Sequence, residues 1–204
     1  MSKIKILIPI YNDWQSVVKL IKDINSHVST LSDEFSIIII NDASIENRPE
    51  FSPDLNNLNS VQIINMKENK GHARCIASGL KYIYEKKEFD YVIPMDGDGE
   101  DRPEEIKNFI EFTDQSKDKS IVGERVKRSE SIFFKICYLF HKFLTLAFTG
   151  QSIRFGNFTC LSKITVEKML NEKATWNSFS GSLKKVEKDL LSIPSIRGTR
   201  YFGP

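Results

Sequence analysis

Short apolar runs alternate along this chain with stretches whose apolar residues recur at helical spacing, and this alternation limits the folds open to it. The apolar runs cover residues 3–8, 36–40, 61–65, 91–95 and 120–122. They are rich in β-branched residues, and several are nearly all apolar, as strands buried on both faces are. Strands that alternate with helices predict an α/β fold with a mostly parallel central sheet and helices on both faces.

Three helices are predicted between these runs. The first two present apolar stripes, Trp14, Val17, Val18, Ile21, Ile24 and Val28 in one and Ala73, Ile76, Ala77, Leu80 and Ile83 in the other. Residues at such spacing lie on one face of a helix, which packs against the sheet. The third helix is predicted to begin at Pro103, which suits a first helical position, with Asp101 placed to cap it.

Composition narrows the class of protein. The chain has 204 residues, 40% of them hydrophobic, and a net charge of +2, which suits one α/β domain and argues against nucleic acid as a partner. The three cysteines are far apart, so neither a disulfide framework nor a zinc site is predicted. Because the N-terminal residues lack the pattern of a signal peptide, a cytoplasmic location is predicted.

Asp96 and Asp98 follow the fourth apolar run directly, in the stretch DYVIPMDGDGEDRPEEI. Residues i and i+2 of an extended segment point the same way, so the two carboxylates are expected to face one spot. Their repulsion favours a cation, and hard oxygen ligands favour Mg²⁺ or Mn²⁺ shared with substrate phosphates. Glu100 continues the spacing, which allows three carboxylates to face one cation. Turn chemistry is the alternative for a lone pair of this kind.

Polar segments at other strand ends are candidate contacts for the same ligand. Segment 9–13, PIYND, is the expected place for a base-binding turn, and Asp42 is a candidate acceptor for a base or ribose. A plain loop and an Asx turn are the alternatives. Segment 69–74, NKGHAR, begins a helix whose N–H groups and basic side chains suit phosphate, with His72 either solvated or catalytic. Arg125 ends the fifth run, and its guanidinium suits diphosphate oxygens.

Five of these segments occur in an order that resembles the family 2 glycosyltransferases, which have the GT-A fold. The segments are IPIYND, IIIINDAS, NKGHARCIASGLKYI, YVIPMDGDGEDRPEEI and IVGER. The chain is most similar to the branch of dolichol- or polyprenyl-phosphate mannose and glucose synthases, over about residues 4–204. The resemblance implies a nucleotide-sugar-binding half at residues 1–128 and an acceptor-side half at residues 129–204.

The resemblance also implies an inverting transfer from a nucleotide-diphosphate sugar and a role for each matching residue. Asp96, Asp98 and Glu100 are the implied metal ligands, and Asp98, Asn157 and Arg125 the implied catalytic residues. The implied donor-binding residues are Pro9, Tyr11, Asp13, Asp42, Gly71, Arg74, Asp96, Arg128 and Arg200. The implied cofactor is Mg²⁺ or Mn²⁺.

Asn157 departs from the branch, which carries an aspartate, a candidate general base, at the matching position. An amide cannot take a proton. An ionised polyprenyl phosphate needs no strong base, whereas general-base catalysis contributes about 10²–10⁴-fold when the acceptor is a glycan hydroxyl. Asn157 therefore fits either a phosphate acceptor or weak activity. A nucleotide-sugar-binding module with little or no turnover is the second hypothesis, and a nucleotidyltransferase is less favoured because the first loop lacks a Gly-rich basic segment.

Residues 197–204, RGTRYFGP, resemble a basic element that precedes the membrane segments of that branch. In the branch the chain usually continues with Ser-Lys, and here it stops at Pro204. Two expectations stay open, a naturally short form and a chain without its membrane anchor.

About residues 131–149 form a predicted amphipathic helix with one narrow polar face and a broad apolar face. Its apolar part of about 17 residues covers about 25 Å, which is less than the roughly 30 Å hydrocarbon core of a bilayer. The pattern favours a helix that lies in the membrane interface, with snorkelling lysines, on the cytoplasmic face. Burial in a protein groove or a homo-oligomer contact is the alternative.

Substitutions on the apolar face test the interfacial interpretation. Replacing both Phe140 and Phe143 by Glu is expected to abolish sedimentation with liposomes, because charge opposes burial of this face among acyl chains. Replacing Thr145 and Thr149 by Glu adds the same charge to the polar face and should retain more binding. Strong liposome binding by the phenylalanine variant would discard the interfacial helix.

Overall fold

The computed structural model describes residues 1–50, 54–116, 118–126 and 154–203. Arg128 and the amphipathic helix predicted at about residues 131–149 lie outside the described residues.

The described residues contain one sheet and five α-helices. The strands are β1 (Lys3–Ile10), β2 (Glu34–Asn41), β3 (Ser60–Asn65), β4 (Tyr91–Pro94), β5 (Ile121–Arg125), β6 (Phe155–Ser162) and β7 (Leu191–Ser195). The helices are α1 (Trp14–His27), α2 (His72–Lys86), α3 (Ile106–Gln115), α4 (Lys163–Leu170) and α5 (Phe179–Val186). Short 3₁₀ turns cover Val28–Thr30, Pro103–Glu105 and Lys173–Trp176.

The strands lie in the order β3-β2-β1-β4-β6-β5-β7. β1 pairs in parallel with β2 and β4, β2 with β3, and β5 with β7. Among these strands only β6 is antiparallel to its neighbours, β4 and β5. The predicted mostly parallel α/β sheet is therefore confirmed. The five predicted runs match β1 to β5, and β5 differs most because it ends at Arg125 rather than at residue 122.

Side chains of β1 divide the core between the two faces of the sheet. Ile4, Ile6 and Ile8 are buried against α1 and α3. Leu7, which points to the opposite face, is buried with residues of α2, α4 and α5. Helices thus cover both faces, as predicted. No helix of the described ranges combines the length and the apolarity needed to cross a bilayer.

The prediction that Asp101 caps the helix after β4 is wrong. The turn Pro103–Glu105 has no side-chain cap, and α3 continues from it. Asp101 is instead buried, and its Oδ2 accepts a hydrogen bond from the backbone N–H of Asp96 at 2.8 Å. Because Pro103 has no N–H, the start of the helix presents one donor fewer. The Asp101 carboxylate therefore stabilises the loop after β4 and does not cap the helix.

Two phenylalanines of α3, one buried and one exposed, allow a test of the core. Phe109 is fully buried and meets the Phe158 ring edge to face, with 4.9 Å between ring centroids. Phe109→Ala is expected to lower the free energy of unfolding by about 3–5 kcal/mol, because it leaves a cavity. Phe112→Ala, in the same helix at a 39% exposed position, should cost about 1 kcal/mol or less. Equal losses in denaturant titrations would contradict this core.

Candidate functional site

Two adjoining clefts open at the edge of the sheet where β1 and β4 end. The inner cleft, of about 220 Å³, is lined by Pro9, Ile10, Tyr11, Asp13, Val17, His72, Asp96, Gly97, Asp98 and Arg200. The outer cleft, of about 370 Å³, is lined by Tyr11, Asn12, Asp13, Gln15, Glu46, Arg200, Phe202 and Gly203. Three side chains line both clefts, so one extended ligand can occupy the two. Ligands of parallel sheets bind beyond the carboxyl ends of strands, as this position requires.

The segment that follows β1 contributes two of the three residues common to both clefts, Tyr11 and Asp13. β1 runs to Ile10, whereas its pairing with β4 ends at Leu7, so the following residues extend past β4. Tyr11 is 50% exposed there. Asp13 is the N-cap of α1, with Oδ1 accepting a hydrogen bond from the Ser16 N–H at 3.3 Å. The cap fixes the Asp13 carboxylate at the junction of the two clefts.

The loop after β4 carries Asp96 and Asp98, the aspartate pair, and both side chains line the inner cleft. Asp98 Oδ1 accepts a hydrogen bond from the Glu100 N–H at 3.0 Å. Gly99 has a φ of +87°, a conformation that favours glycine. The Tyr201 ring also occupies the space that a Cβ at this position would need. The loop thus holds the two carboxylates towards one cleft, and it does so through a turn rather than through the extended segment that the spacing suggested.

Negative charge is crowded around the aspartate pair. Burial, and after it the neighbouring Asp96 carboxylate, raises the pKa of Asp98, while Arg200 opposes the rise. Burial and Asp96 also raise the pKa of Asp101, whereas the Asp96 backbone N–H and the Arg125 guanidinium lower it. Both carboxyls are therefore harder to ionise than in water, a condition that an added cation relieves.

His72 contacts the aspartate pair, and the sequence had left open whether this residue is solvated or catalytic. It begins α2, and its side chain is 49% exposed. Its Nε2 lies 3.3 Å from Asp96 Oδ1 and 2.7 Å from Asn157 Nδ2. Asn157 of β6 also donates from Nδ2 to Asp96 Oδ1 at 3.3 Å. An ionised aspartate at position 157 could not donate this hydrogen bond, so the amide has a structural role here.

Asp42 does not line either cleft, in contrast to the pocket role that the resemblance implied. Its buried carboxylate accepts hydrogen bonds from the backbone N–H groups of Lys70 and Gly71, both at 2.8 Å. The Gly71 N–H is therefore already paired rather than available to phosphate. Arg74, on α2, is exposed and also lies outside the lining. Asp42 and Gly71 fix the start of α2, and with it the position of His72.

Arg125 and Glu100 also lie outside the lining of the two clefts. Arg125 is exposed at the end of β5, where its guanidinium packs against Gly156. Glu100 forms an ion pair with Arg197. Within the described part of the chain, no group of three or more His, Cys, Asp or Glu side chains is placed to hold a metal ion. Glu100 as a third ligand stays a prediction, and the aspartate pair is the part of the predicted set that faces the inner cleft.

The aspartate pair fits a hard divalent cation that also binds the phosphates of a substrate. Mg²⁺ is usually held by one or two carboxylates together with substrate phosphate oxygens, and Mn²⁺ accepts the same oxygen ligands. Asp96 and Asp98 face one cleft and repel each other, which contributes to the raised pKa of Asp98. Two carboxylates at the mouth of a strand are the protein ligands that such a site needs.

Residues 197–202, the C-terminal strap, lie across the loop of the aspartate pair. The Tyr201 N–H donates to the Asp98 carbonyl at 2.9 Å, and the Gly198 N–H to the Glu100 carbonyl at 2.8 Å. Arg200 Nε lies 3.5 Å from Asp98 Oδ2. The sequence predicted Arg200 as a ligand contact but missed Tyr201. The one sequence signal for Tyr201 was its position in the segment RGTRYFGP, which also contains two arginines.

Residues 5–179 match the sequence model of Glycosyl transferase family 2. Undecaprenyl-phosphate 4-deoxy-4-formamido-L-arabinose transferase of Klebsiella pneumoniae (strain 342) is 24% identical over 217 aligned positions. The alignment covers 100% of this chain and 62% of that protein, so the chain spans less than two thirds of the length of this curated relative.

Solved structures share the fold at low sequence identity. Mannosyltransferase PcManGT from Pyrobaculum calidifontis, in complex with GDP-Man and Mn²⁺, has a TM-score of 0.65 at 14% identity, with 99% of this chain and 58% of that chain covered. Glucosyl-3-phosphoglycerate synthase from Mycobacterium tuberculosis, in complex with Mn²⁺, UDP-Glc and phosphoglyceric acid, has a TM-score of 0.59 at 11% identity, with 100% and 73% covered. The predicted GT-A fold is confirmed. Because the family's sequence model matches most of its length, the chain belongs to glycosyl transferase family 2.

Proposed function

We propose that this chain transfers a sugar from a nucleotide-diphosphate sugar to a polyprenyl phosphate, with inversion at the anomeric carbon and with Mg²⁺ or Mn²⁺. The observation that carries the proposal is the aspartate pair, Asp96 and Asp98, which faces a cleft at the carboxyl end of β4. Family membership supports it, and so does the 24% identical relative, which is named as an undecaprenyl-phosphate sugar transferase.

The two clefts suit the two ends of such a donor. In the outer cleft, Tyr11 offers a half-exposed ring to a base, and the Asp13 carboxylate is an acceptor for base or ribose donors. The inner cleft, with the aspartate pair and Arg200, suits the diphosphate, because guanidinium pairs well with phosphate oxygens. The donor is proposed to extend from Tyr11 towards the aspartate pair.

The protein's own residues prepare the inner cleft for the leaving group. A divalent cation on the aspartate pair would neutralise charge on the leaving nucleoside diphosphate, which is worth several kcal/mol. Mn²⁺ in the complexes of both structural neighbours supports this assignment. His72 and Asn157 hold the Asp96 carboxylate in place from two other elements. Arg200 lies close enough to contribute to the same electrostatic field.

A phosphate is the proposed acceptor because position 157 carries an amide. In an inverting displacement an acceptor oxygen attacks the anomeric carbon opposite the diphosphate, and the new bond forms as the bond to the diphosphate breaks. An ionised phosphate oxygen needs no proton acceptor on the protein, and Asn157 offers none. The hydrogen bond from Asn157 to Asp96 supports this role, because in the proposed complex the amide would lie beside the diphosphate.

The acceptor implies a location at a membrane surface, since a polyprenyl chain resides in the bilayer. The apolar pattern of about residues 131–149 supports a peripheral contact, which we place on the cytoplasmic face as part of the proposal.

Asp98→Asn tests the function directly. The variant is expected to lose at least about 100-fold of the Mn²⁺-dependent release of UDP or GDP from donor sugars, because a principal metal ligand is removed. Its thermal stability should not fall, since burial and Asp96 already disfavour the charged form of Asp98. Asp189→Asn, at an exposed position before β7 and so at the opposite end of the strands, is the matched control. Equal activity in the two variants would refute the proposed site.

A donor-binding module with little or no turnover is the second candidate function, and Asn157 is the observation that favours it. A coupled assay with polyprenyl phosphate or a free glycan as acceptor separates the two. Nucleotide release with polyprenyl phosphate alone supports the proposed reaction. A Mn²⁺-dependent thermal shift with a UDP-, GDP- or dTDP-sugar, without release in membrane extract, supports the binding module.

A further inference from the structure

We propose that Arg200 is a built-in counter-ion for Asp98, which the metal–diphosphate complex of the donor displaces. In the free protein the guanidinium supplies the positive charge that the metal supplies in the donor complex. The site therefore binds a divalent cation together with a diphosphate much better than the cation alone. This inference rests on the proposed function, because it assumes that Asp98 is a metal ligand.

Arg200 is placed between two carboxylates of the clefts. Its Nε lies 3.5 Å from Asp98 Oδ2, and its Nη2 lies 3.9 Å from Asp13 Oδ2. The Asp98 side chain is 20% exposed and the Arg200 side chain 45% exposed, so this ion pair is only partly screened by solvent. Because Oδ1 of Asp98 already accepts the Glu100 N–H, Oδ2 is the oxygen best placed for a metal, and Arg200 faces it.

The strap that carries Arg200 is fixed by Tyr201. The Tyr201 hydroxyl donates to Asp23 Oδ2 on α1 at 2.6 Å, and the Lys19 ammonium lies 4.4 Å from the centroid of its ring. The same ring packs on Gly99, next to Asp98, where a Cβ would approach it to 2.5 Å. Arg200 is therefore held against the aspartate pair by its neighbour in sequence rather than by the ion pair alone.

The start of the strap is fixed as firmly. The buried Glu105 carboxylate accepts hydrogen bonds from the Ser195 hydroxyl at 2.7 Å and from the Ile196 N–H at 2.9 Å. Gly198 then donates to the Glu100 carbonyl. With both ends anchored, the guanidinium can leave Asp98 by side-chain rotation while the strap stays in place.

The ion pair makes metal binding depend on the diphosphate. A cation that arrives alone must displace the guanidinium from Asp98 and then remain near its positive charge, which is unfavourable. A diphosphate brings oxygens that accept both the cation and the displaced guanidinium, so the two ligands favour each other's binding. By linkage, Mn²⁺ must strengthen diphosphate binding by the same factor.

Mn²⁺ titrations followed by electron paramagnetic resonance test the proposal, with and without UDP, GDP or dTDP. Without nucleotide, Arg200→Gln is expected to bind Mn²⁺ about three- to tenfold more tightly than wild type, because competition and repulsion are both removed. The variant should gain less Mn²⁺ affinity from a nucleoside diphosphate. Arg200→Lys keeps the charge and should stay close to wild type.

Arg197→Gln is the matched control, since it removes the same charge from the same strap. The Arg197 guanidinium pairs with Glu100, and it acts on the Asp98 carboxyl more weakly than Arg200 does. This variant should change nucleotide-free Mn²⁺ affinity by less than about twofold. An equal gain in this control, or no gain in Arg200→Gln, overturns the counter-ion. If Arg200→Gln does not fold, the wild-type protein provides the test. A wild-type Mn²⁺ affinity that none of the three nucleotides changes would overturn the counter-ion proposal.

Failure of the inference can be told apart from failure of the proposed function. One outcome overturns the counter-ion alone. In it, Mn²⁺ binds in the presence of a nucleoside diphosphate, but without nucleotide the wild type and Arg200→Gln have the same Mn²⁺ affinity. No Mn²⁺ binding by any of the proteins, with or without nucleotide, overturns the metal site and the inference together.

Discussion

Repulsion between two carboxylates at the end of a short strand is the constraint around which this site is built. β4 ends at Pro94, and the loop that follows turns both Asp96 and Asp98 into one cleft. Charges that are partly removed from water are unfavourable unless they are paired. The surrounding elements supply partners, with Arg200 facing Asp98 and with the Asn157 amide donating a hydrogen bond to Asp96.

The sheet explains why these partners meet. β1, β2 and β4 run in parallel, so the segments that follow them emerge at one edge. After β2, both carboxylate oxygens of Asp42 accept hydrogen bonds from the turn before α2, and this fixes the position of His72. β6 pairs with β4 in the antiparallel direction, and this brings the Asn157 amide to the Asp96 carboxylate. Residues that do not touch the cleft thus decide the geometry of those that do.

The sequence predicted the parts of the fold and site that depend on local pattern. Buried parallel strands are continuous apolar runs, so β1 to β5 could be recognised. The position of the aspartate pair directly after such a run indicated the end of β4 as the site, although a turn rather than an extended segment orients the two carboxylates. β6 could not be recognised, because Gly156, Asn157 and Thr159 interrupt its apolar residues and only its pairing partners bury it. Tyr201 was missed for the same reason, because its hydroxyl donates to the Asp23 carboxylate, 178 residues away in the sequence.

Local reasoning does not show which of two possible partners a carboxylate contacts in the folded protein. The spacing offered Asp101 as a helix cap and Glu100 as a third ligand, but a backbone N–H of the loop engages the first and Arg197 the second. Each choice is made by tertiary contacts that the motif does not contain. Asp98 is the case with the largest consequence, since the oxygen that faces Arg200 is also the one proposed to bind a metal. The raised pKa of Asp98 means that Arg200 only partly offsets the cost of burying this charge beside Asp96. A site of this kind keeps charged groups for ligand binding at the expense of stability, which is a physical origin of the trade-off between stability and activity.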